Sequence, residues 1–164
     1  MIRQVDPTDL SAVTDIYNYY VANTVVSLEE TPRSLKQIEQ RLQKVASAGL
    51  PWLVAEEKQE ILGYAYAVPW NTREAYRHTA EVSVYLSPSH TGKGIGSLLY
   101  EALFTALKAQ SFHVVIGGIT LPNPASTQLH EKFGMTKTAH FTEVGYKFGA
   151  WHDVGYWQIN LDAH

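Results

Sequence analysis

Between residues 52 and 86 three stretches with strand character follow one another without an intervening helix. They are Trp52 to Glu56, Ile61 to Val68 and Thr79 to Leu86, all rich in β-branched and aromatic side chains. Parallel neighbours need a crossover connection, usually a helix, so strands strung together this closely pair antiparallel. The polar turn Glu57-Lys58-Gln59-Glu60 marks the first two as a hairpin. The third alternates, with Glu81, Ser83 and Tyr85 on one face and Val82, Val84 and Leu86 on the other. A doubly wound parallel sheet is thereby disfavoured.

The flanking segments complete the order β-α-α-β-β-β-α-β-α-β-β. Ile2 to Val5 reads as a short strand. Thr8 is placed to cap a helix with a Leu10, Val13, Ile16, Tyr17 and Tyr20 stripe. Ser34 to Gln37 has capping-box spacing before a helix carrying Leu35, Ile38, Leu42 and Val45, which Gly49 and Pro51 stop. A later helix has Ile95, Leu98, Leu99, Ala102, Ala106 and Ala109 on its expected buried side. His113 to Thr120 reads as a strand, and Pro122-Asn123-Pro124 opens a helix that ends at Gly134. Thr136 to Lys147 and Tyr156 to Leu161 read as closing strands. The expected architecture is α+β: one domain over 1–164, with a central mixed, mostly antiparallel sheet sandwiched by helices on both faces.

Composition narrows the functional classes. The 164 residues include no cysteine, and 13 Lys and Arg against 16 Asp and Glu give a formal charge of −3. No disulfide, Cys-ligated metal or thiol nucleophile is available, so a covalent relay through a cysteine is excluded. The charge argues against a nucleic-acid partner. No apolar run has signal-peptide or membrane-spanning length, so no membrane association and a cytoplasmic location are expected. Seven histidines show neither i, i+4 helical pairing nor ligand spacing, and no metal is expected.

The strongest chemical signal is Ser87-Pro88-Ser89-His90-Thr91-Gly92-Lys93-Gly94-Ile95-Gly96-Ser97, joining a strand to a helix. Glycines at alternate positions let the backbone approach an anion, and the unpaired N–H groups of a helix start favour phosphate. Lys93 adds a positive charge. The plain alternative is a turn that packs a helix tightly on a sheet. A Walker A loop is excluded because Gly94 follows Lys93, and a dinucleotide fingerprint is excluded by the spacing and the mid-chain position.

Thr91-Gly92-Lys93-Gly94-Ile95-Gly96 resembles the acetyl-CoA-binding motif of the GNAT acetyltransferase superfamily, Gln/Arg-x-x-Gly-x-Gly/Ala. Thr91 stands where the family usually carries Gln or Arg, a departure that touches one pyrophosphate contact. Further segments resemble the phosphinothricin and methionine sulfoximine acetyltransferase branch. They are Ala80 to Pro88, Leu121 to Ser126, Leu129 to Gly134 and, most specifically, Gly149-Ala150-Trp151-His152-Asp153-Val154-Gly155-Tyr156-Trp157-Gln158. The resemblance spans nearly the whole chain. It implies a GNAT fold, acetyl-CoA as co-substrate, acetyl transfer to the amine of a small α-amino acid or analogue, and a homodimer. The rival readings are another amine acceptor (a polyamine, an antibiotic, a protein N-terminus) and an acyl-CoA-binding regulatory module without turnover.

The resemblance also implies residue roles. Glu81 matches the family's catalytic glutamate, and a carboxylate there could take a proton from the amine directly or through water. The bland alternative is a strand glutamate facing solvent or paired to Arg77. Val84, Tyr85 and Leu86 would pair their backbone with the pantetheine arm as an added strand. Gly92, Lys93, Gly94, Ile95, Gly96 and Ser97 would cradle the pyrophosphate. Asn123 would both cap its helix and touch the arm. Arg73, Glu74, Ala75 and Tyr76 match the substrate-side loop, with Arg73 facing a carboxylate. His130 stands where many relatives have a tyrosine that protonates the leaving thiolate. Both that role and a buried positioning role fit histidine. Trp151, His152 and Asp153 suit either the acceptor site or the dimer edge.

Overall fold

Capping chemistry sets where the helices begin. In the computed structural model, which describes residues 1–163, Ser34 accepts from the Gln37 N–H while Gln37 Oε1 accepts from the Ser34 N–H. Helix α2 (Leu35–Ser47) therefore starts where the capping-box spacing predicts. Strand β1 (Ile2–Gln4) leads into a 3-10 turn (Pro7–Asp9) and helix α1 (Leu10–Asn23). Thr8 caps neither element: Asp9 stands at the N-cap of α1 without a side-chain cap bond, and Asp6 caps the 3-10 turn before it. The Asp6 carboxylate accepts from the Thr8 N–H, and Asp9 closes the reciprocal bond. Buried Asp9 is also gripped by both terminal nitrogens of the Arg3 guanidinium at 2.8 and 2.9 Å, which holds its carboxyl below the usual carboxylate range.

Strands β2 (Trp52–Glu57), β3 (Glu60–Pro69) and β4 (Thr79–Leu86) form the expected antiparallel series. Helix α3 (Ile95–Ala109), β5 (Val114–Leu121), α4 (Pro124–Lys132), β6 (Thr136–Lys147) and β7 (Ala150–Asn160) follow. Strand β7 begins six residues before the expected Tyr156, because Ala150 to Gly155 continue the ladder with β6 and β5. One seven-stranded sheet results, ordered β1-β2-β3-β4-β5-β7-β6, antiparallel at every step except β4–β5.

Helix α1 packs on the face that carries Tyr85, through an edge contact from Tyr17 and a tilted one from Tyr20 at ring separations of 5.3 and 5.5 Å. Helices α3 and α4 cover the other face, where Leu86 nears Gly96 and His130 lies against Gly117. The buried stripe of α3 is Ile95, Leu99, Tyr100, Leu103, Phe104 and Leu107. Leu98 and Ala109, expected inside, are exposed. The helix turns its bulkier side chains to the core, and Ala102 and Ala106 fall at the margin. Leu35 of α2 is likewise exposed. Each fully buried leucine contributes about 2 kcal/mol by transfer from water. With Val13, Val21, Val54 and Val115, residues such as Leu99, Leu103 and Leu107 hold both helix layers onto the sheet.

Candidate active site

The single parallel junction is short. Strands β4 and β5 each run for eight residues but pair only at Thr79↔Val114, Ala80↔Val115 and Glu81↔Ile116. Beyond Glu81 they part, and a wedge opens in the middle of the sheet. On the β3 side of β4, Trp70 donates to the Thr79 carbonyl and Ser87 donates to the Leu62 carbonyl. By the alternation of an antiparallel ladder, residues 79, 81, 83 and 85 therefore bond to β3, while Val82, Val84 and Leu86 aim their backbone groups into the wedge. Tyr20 donates to the Leu86 carbonyl. The Val84 carbonyl and the Val84 and Leu86 N–H groups thus face open space, as an added strand would require. The backbone of Tyr85 is turned to β3, so this residue meets the wedge through its ring alone.

A groove of about 490 Å³ continues from the wedge between α3 and α4. One wall carries Val84, Tyr85, Leu86, Gly92, Gly94, Gly96 and Ser97, and α4 forms the other from Asn123 to Lys132. Gly94 is the N-cap of α3 with φ +81°, a left-handed conformation that a Cβ would strain. It has no side chain to cap the helix. The first intrahelical bond runs from the Leu98 N–H to the Gly94 carbonyl, so the N–H groups of Ile95, Gly96 and Ser97 have no acceptor within the helix. A Cβ on Gly96 would stand 3.3 Å from Leu129 Cδ2, so glycine there also permits the close approach of α3 and α4. Unpaired donors, a helix dipole and an open groove together suit a phosphate ester.

Two of the expected cradle residues point elsewhere. Lys93 and buried Ile95 line a separate cleft with Met1, Ile2, His90 and Leu98, although their backbone remains in the turn. Asn123 caps α4, its Oδ1 accepting from the Ser126 N–H at 3.2 Å, and it also lines the groove. Sequence reasoning missed Tyr20, Val26, Ala125, Ser126, Gln128, Leu129 and Lys132. On α4 the signal was available: positions 125, 128, 129 and 132 share one helical face of mixed polarity.

At the narrow end, a small crevice of about 50 Å³ is lined by Val82, Val84, Tyr100, Gly118, Asn123, Ser126 and His130, among others. His130 is buried, and burial pushes its pKa down. Its Nδ1 lies 2.7 Å from the Ser126 carbonyl, which can only accept, so Nδ1 carries the proton. In the neutral ring Nε2 is then an acceptor, filled by the Tyr100 hydroxyl at 3.1 Å. Both nitrogens are engaged, which favours positioning over proton delivery. Gly117 accommodates the ring, since a Cβ there would sit 2.7 Å from it.

Glu81 occupies the last paired position before the strands part. Arg77 bonds instead to the Glu74 carbonyl, and no hydrogen bond or ion pair holds the Glu81 carboxylate among the described residues. Burial raises its pKa above the ordinary 4.5. Its sheet face is shared with Trp70 and Tyr156, whose rings meet edge to face at 5.9 Å, and with Phe141 against the far side of Tyr156. Arg73, Glu74, Ala75 and Tyr76 lie exposed on the connection between β3 and β4, outside the groove lining.

A sheet split at its one parallel junction, with a glycine-built helix start beside the split, can be set against known families. The model of the acetyltransferase (GNAT) domain matches residues 2–155. The chain belongs to the GNAT acetyltransferases. Within that family it is 41% identical to the phosphinothricin N-acetyltransferase of Streptomyces viridochromogenes, over 98% of this chain and 87% of the relative. It is 38% identical to the L-methionine sulfoximine/L-methionine sulfone acetyltransferase of Salmonella typhimurium, over 99% and 95%. The crystal structure of a GNAT phosphinothricin acetyltransferase from Sinorhizobium meliloti in complex with AcCoA superposes with a TM-score of 0.95 at 35% identity, covering 98% of this chain and 87% of that one. The GNAT fold expected from the sequence is thus present. Among the described residues no helix is long and apolar enough to cross a membrane, and no group of three or more His, Cys, Asp or Glu could hold a metal ion.

Proposed function

We propose that this GNAT acetyltransferase, acting as one domain over 1–164, moves acetyl from acetyl-CoA to the α-amine of a small amino acid or analogue of the phosphinothricin or methionine sulfoximine type. The observation that carries the reading is the half-buried, unpaired Glu81 carboxylate at the mouth of a wedge whose free backbone and glycine-built helix start suit a phosphate-bearing thioester. The activities for which these relatives are named support the acceptor class.

The division of labour follows from position. Acetyl-CoA brings an activated acyl thioester and the pyrophosphate that the start of α3 favours. An α-amine is mostly ammonium at neutral pH, and Glu81 takes the proton that must leave before the nitrogen can attack. The Val84 N–H, directed into the wedge, is placed to polarise the acyl carbonyl. His130 and Tyr100 hold α4 against α3 and shape the crevice where the sulfur would lie. Without cysteine, transfer runs directly between the two bound substrates.

We also propose a homodimer. Phe141, Val144, Tyr146, Phe148 and Trp151 are each at least half exposed, and all lie on the β6–β7 hairpin at the sheet edge. So large an apolar surface on one hairpin suits a protein interface. The cytoplasm, where an acetyl-CoA pool is available, is the proposed place of action.

The test is CoA thiol release from acetyl-CoA over a panel of phosphinothricin, methionine sulfoximine, methionine sulfone and a polyamine. Turnover on the amino-acid analogues is expected, with Glu81→Gln slower by about a hundredfold or more. Turnover on the polyamine alone would refute the acceptor class. CoA binding without turnover on any amine would point to a regulatory module.

A further inference from the structure

The anion site at the start of α3 has less positive charge than the motif suggests. Thr91 carries no charge, and the Lys93 side chain lines a different cleft. A cation does stand at the groove, on the opposite wall. Lys132, the last residue of α4, donates from Nζ to Ser97 Oγ at 3.0 Å. Ser97 is the third residue of α3, and its own N–H is one of the three with no helical acceptor. Both residues line the groove. The ammonium is therefore fixed across the gap, within reach of any anion that the N–H groups of Ile95, Gly96 and Ser97 receive.

We infer that Lys132 is the charged half of the pyrophosphate clamp, supplying from α4 what Thr91 and Lys93 do not supply from the loop. The inference rests on the groove being the acetyl-CoA site. It commits to the pyrophosphate rather than the 3′-phosphate, because the hydrogen bond to Ser97 places Nζ at the start of α3. It also gives the Lys132–Ser97 contact a role in the unliganded protein: the side chain is held at the groove by that hydrogen bond, so less rotamer freedom is lost when the anion arrives.

Lys132 is exposed, so its replacement should leave folding intact. Calorimetric titration of Lys132→Met with CoA and with 3′-dephospho-CoA should show affinity reduced by about tenfold for both, the scale of one charge-assisted hydrogen bond. Lys132→Arg should recover most of that loss. In steady-state assays with S-acetylpantetheine, which lacks the pyrophosphate, the defect in kcat/KM should shrink below twofold. A loss confined to CoA and absent with 3′-dephospho-CoA would reassign Lys132 to the 3′-phosphate and overturn the inference. Equal binding by wild type and Lys132→Met would also overturn it, as would an undiminished defect with S-acetylpantetheine, which would mark a packing role. Failure of the wild-type protein to bind CoA would instead refute the groove as the cofactor site.

Discussion

Glu81 is the residue whose environment makes the most definite statement about chemistry. A carboxylic acid whose pKa is raised by burial holds a proton more tightly than a free glutamate, so its carboxylate is a stronger base at neutral pH. In the proposed mechanism catalysis needs the carboxylate. Activity should therefore fall as the pH drops through the raised pKa, giving an acid limb above the ordinary 4.5. In Glu81→Gln that limb should vanish from the residual rate, which should climb with pH as more of the amine is free without help. A rate–pH profile of both proteins checks this, and an identical acid limb in the two would remove Glu81 from the proton transfer. Glu81 was legible from sequence through the family resemblance, and the strand alternation added only which side chains share its face. Lys93 was misread for a related reason: a glycine-rich turn has no periodicity, so the order of residues does not say which way a side chain leaves it. Lys132 stayed hidden because it faces the loop from 35 positions along the chain.

At the scale of elements, the turn between β2 and β3 carries a removable strain. The hairpin closes through two residues, Lys58 and Gln59, both at positive φ (50° and 66°). Such a turn matches the twist of its strands but favours Asn and Gly, whereas a longer side chain is crowded there. Replacing the pair by Asn-Gly should raise stability by about 1 kcal/mol, read as a higher midpoint in chemical denaturation, with acetyl transfer unaffected because the turn lies outside the groove lining. The presence of this hairpin was plain from composition, and its strain was not, since nothing in the residue types demanded left-handed backbone. Helix starts were legible where a reciprocal cap exists, as at Ser34 and Gln37. The orientation of α3 was less so. Small and large apolar residues both alternate at helical spacing there, and only packing against the sheet selects Tyr100, Leu103 and Phe104 over Ala102 and Ala109.

For the molecule as a whole, the aromatic hairpin and the wedge have separate consequences. If the hairpin is the dimer contact, a charge at its centre should dissociate the pair. Trp151→Lys, at a residue 61% exposed and in tilted ring contact with Tyr146, should convert a dimer to a monomer in sedimentation analysis while leaving the protomer folded. A wild-type monomer at micromolar concentration would dispose of the dimer.

The wedge gives the sheet an interior boundary. Strand β4 is fourth of seven, the position where amide protons are ordinarily shielded best, yet those of Val84 and Leu86 have no strand to bond to. In hydrogen–deuterium exchange they should behave like amides of an outermost strand, labelling far sooner than those of Ser83 and Tyr85 on either side. Saturating CoA should slow them by the largest factor in the chain. Structurally the centre of this sheet is unfinished, and in the proposed function the molecule that finishes it is consumed and replaced at every turnover.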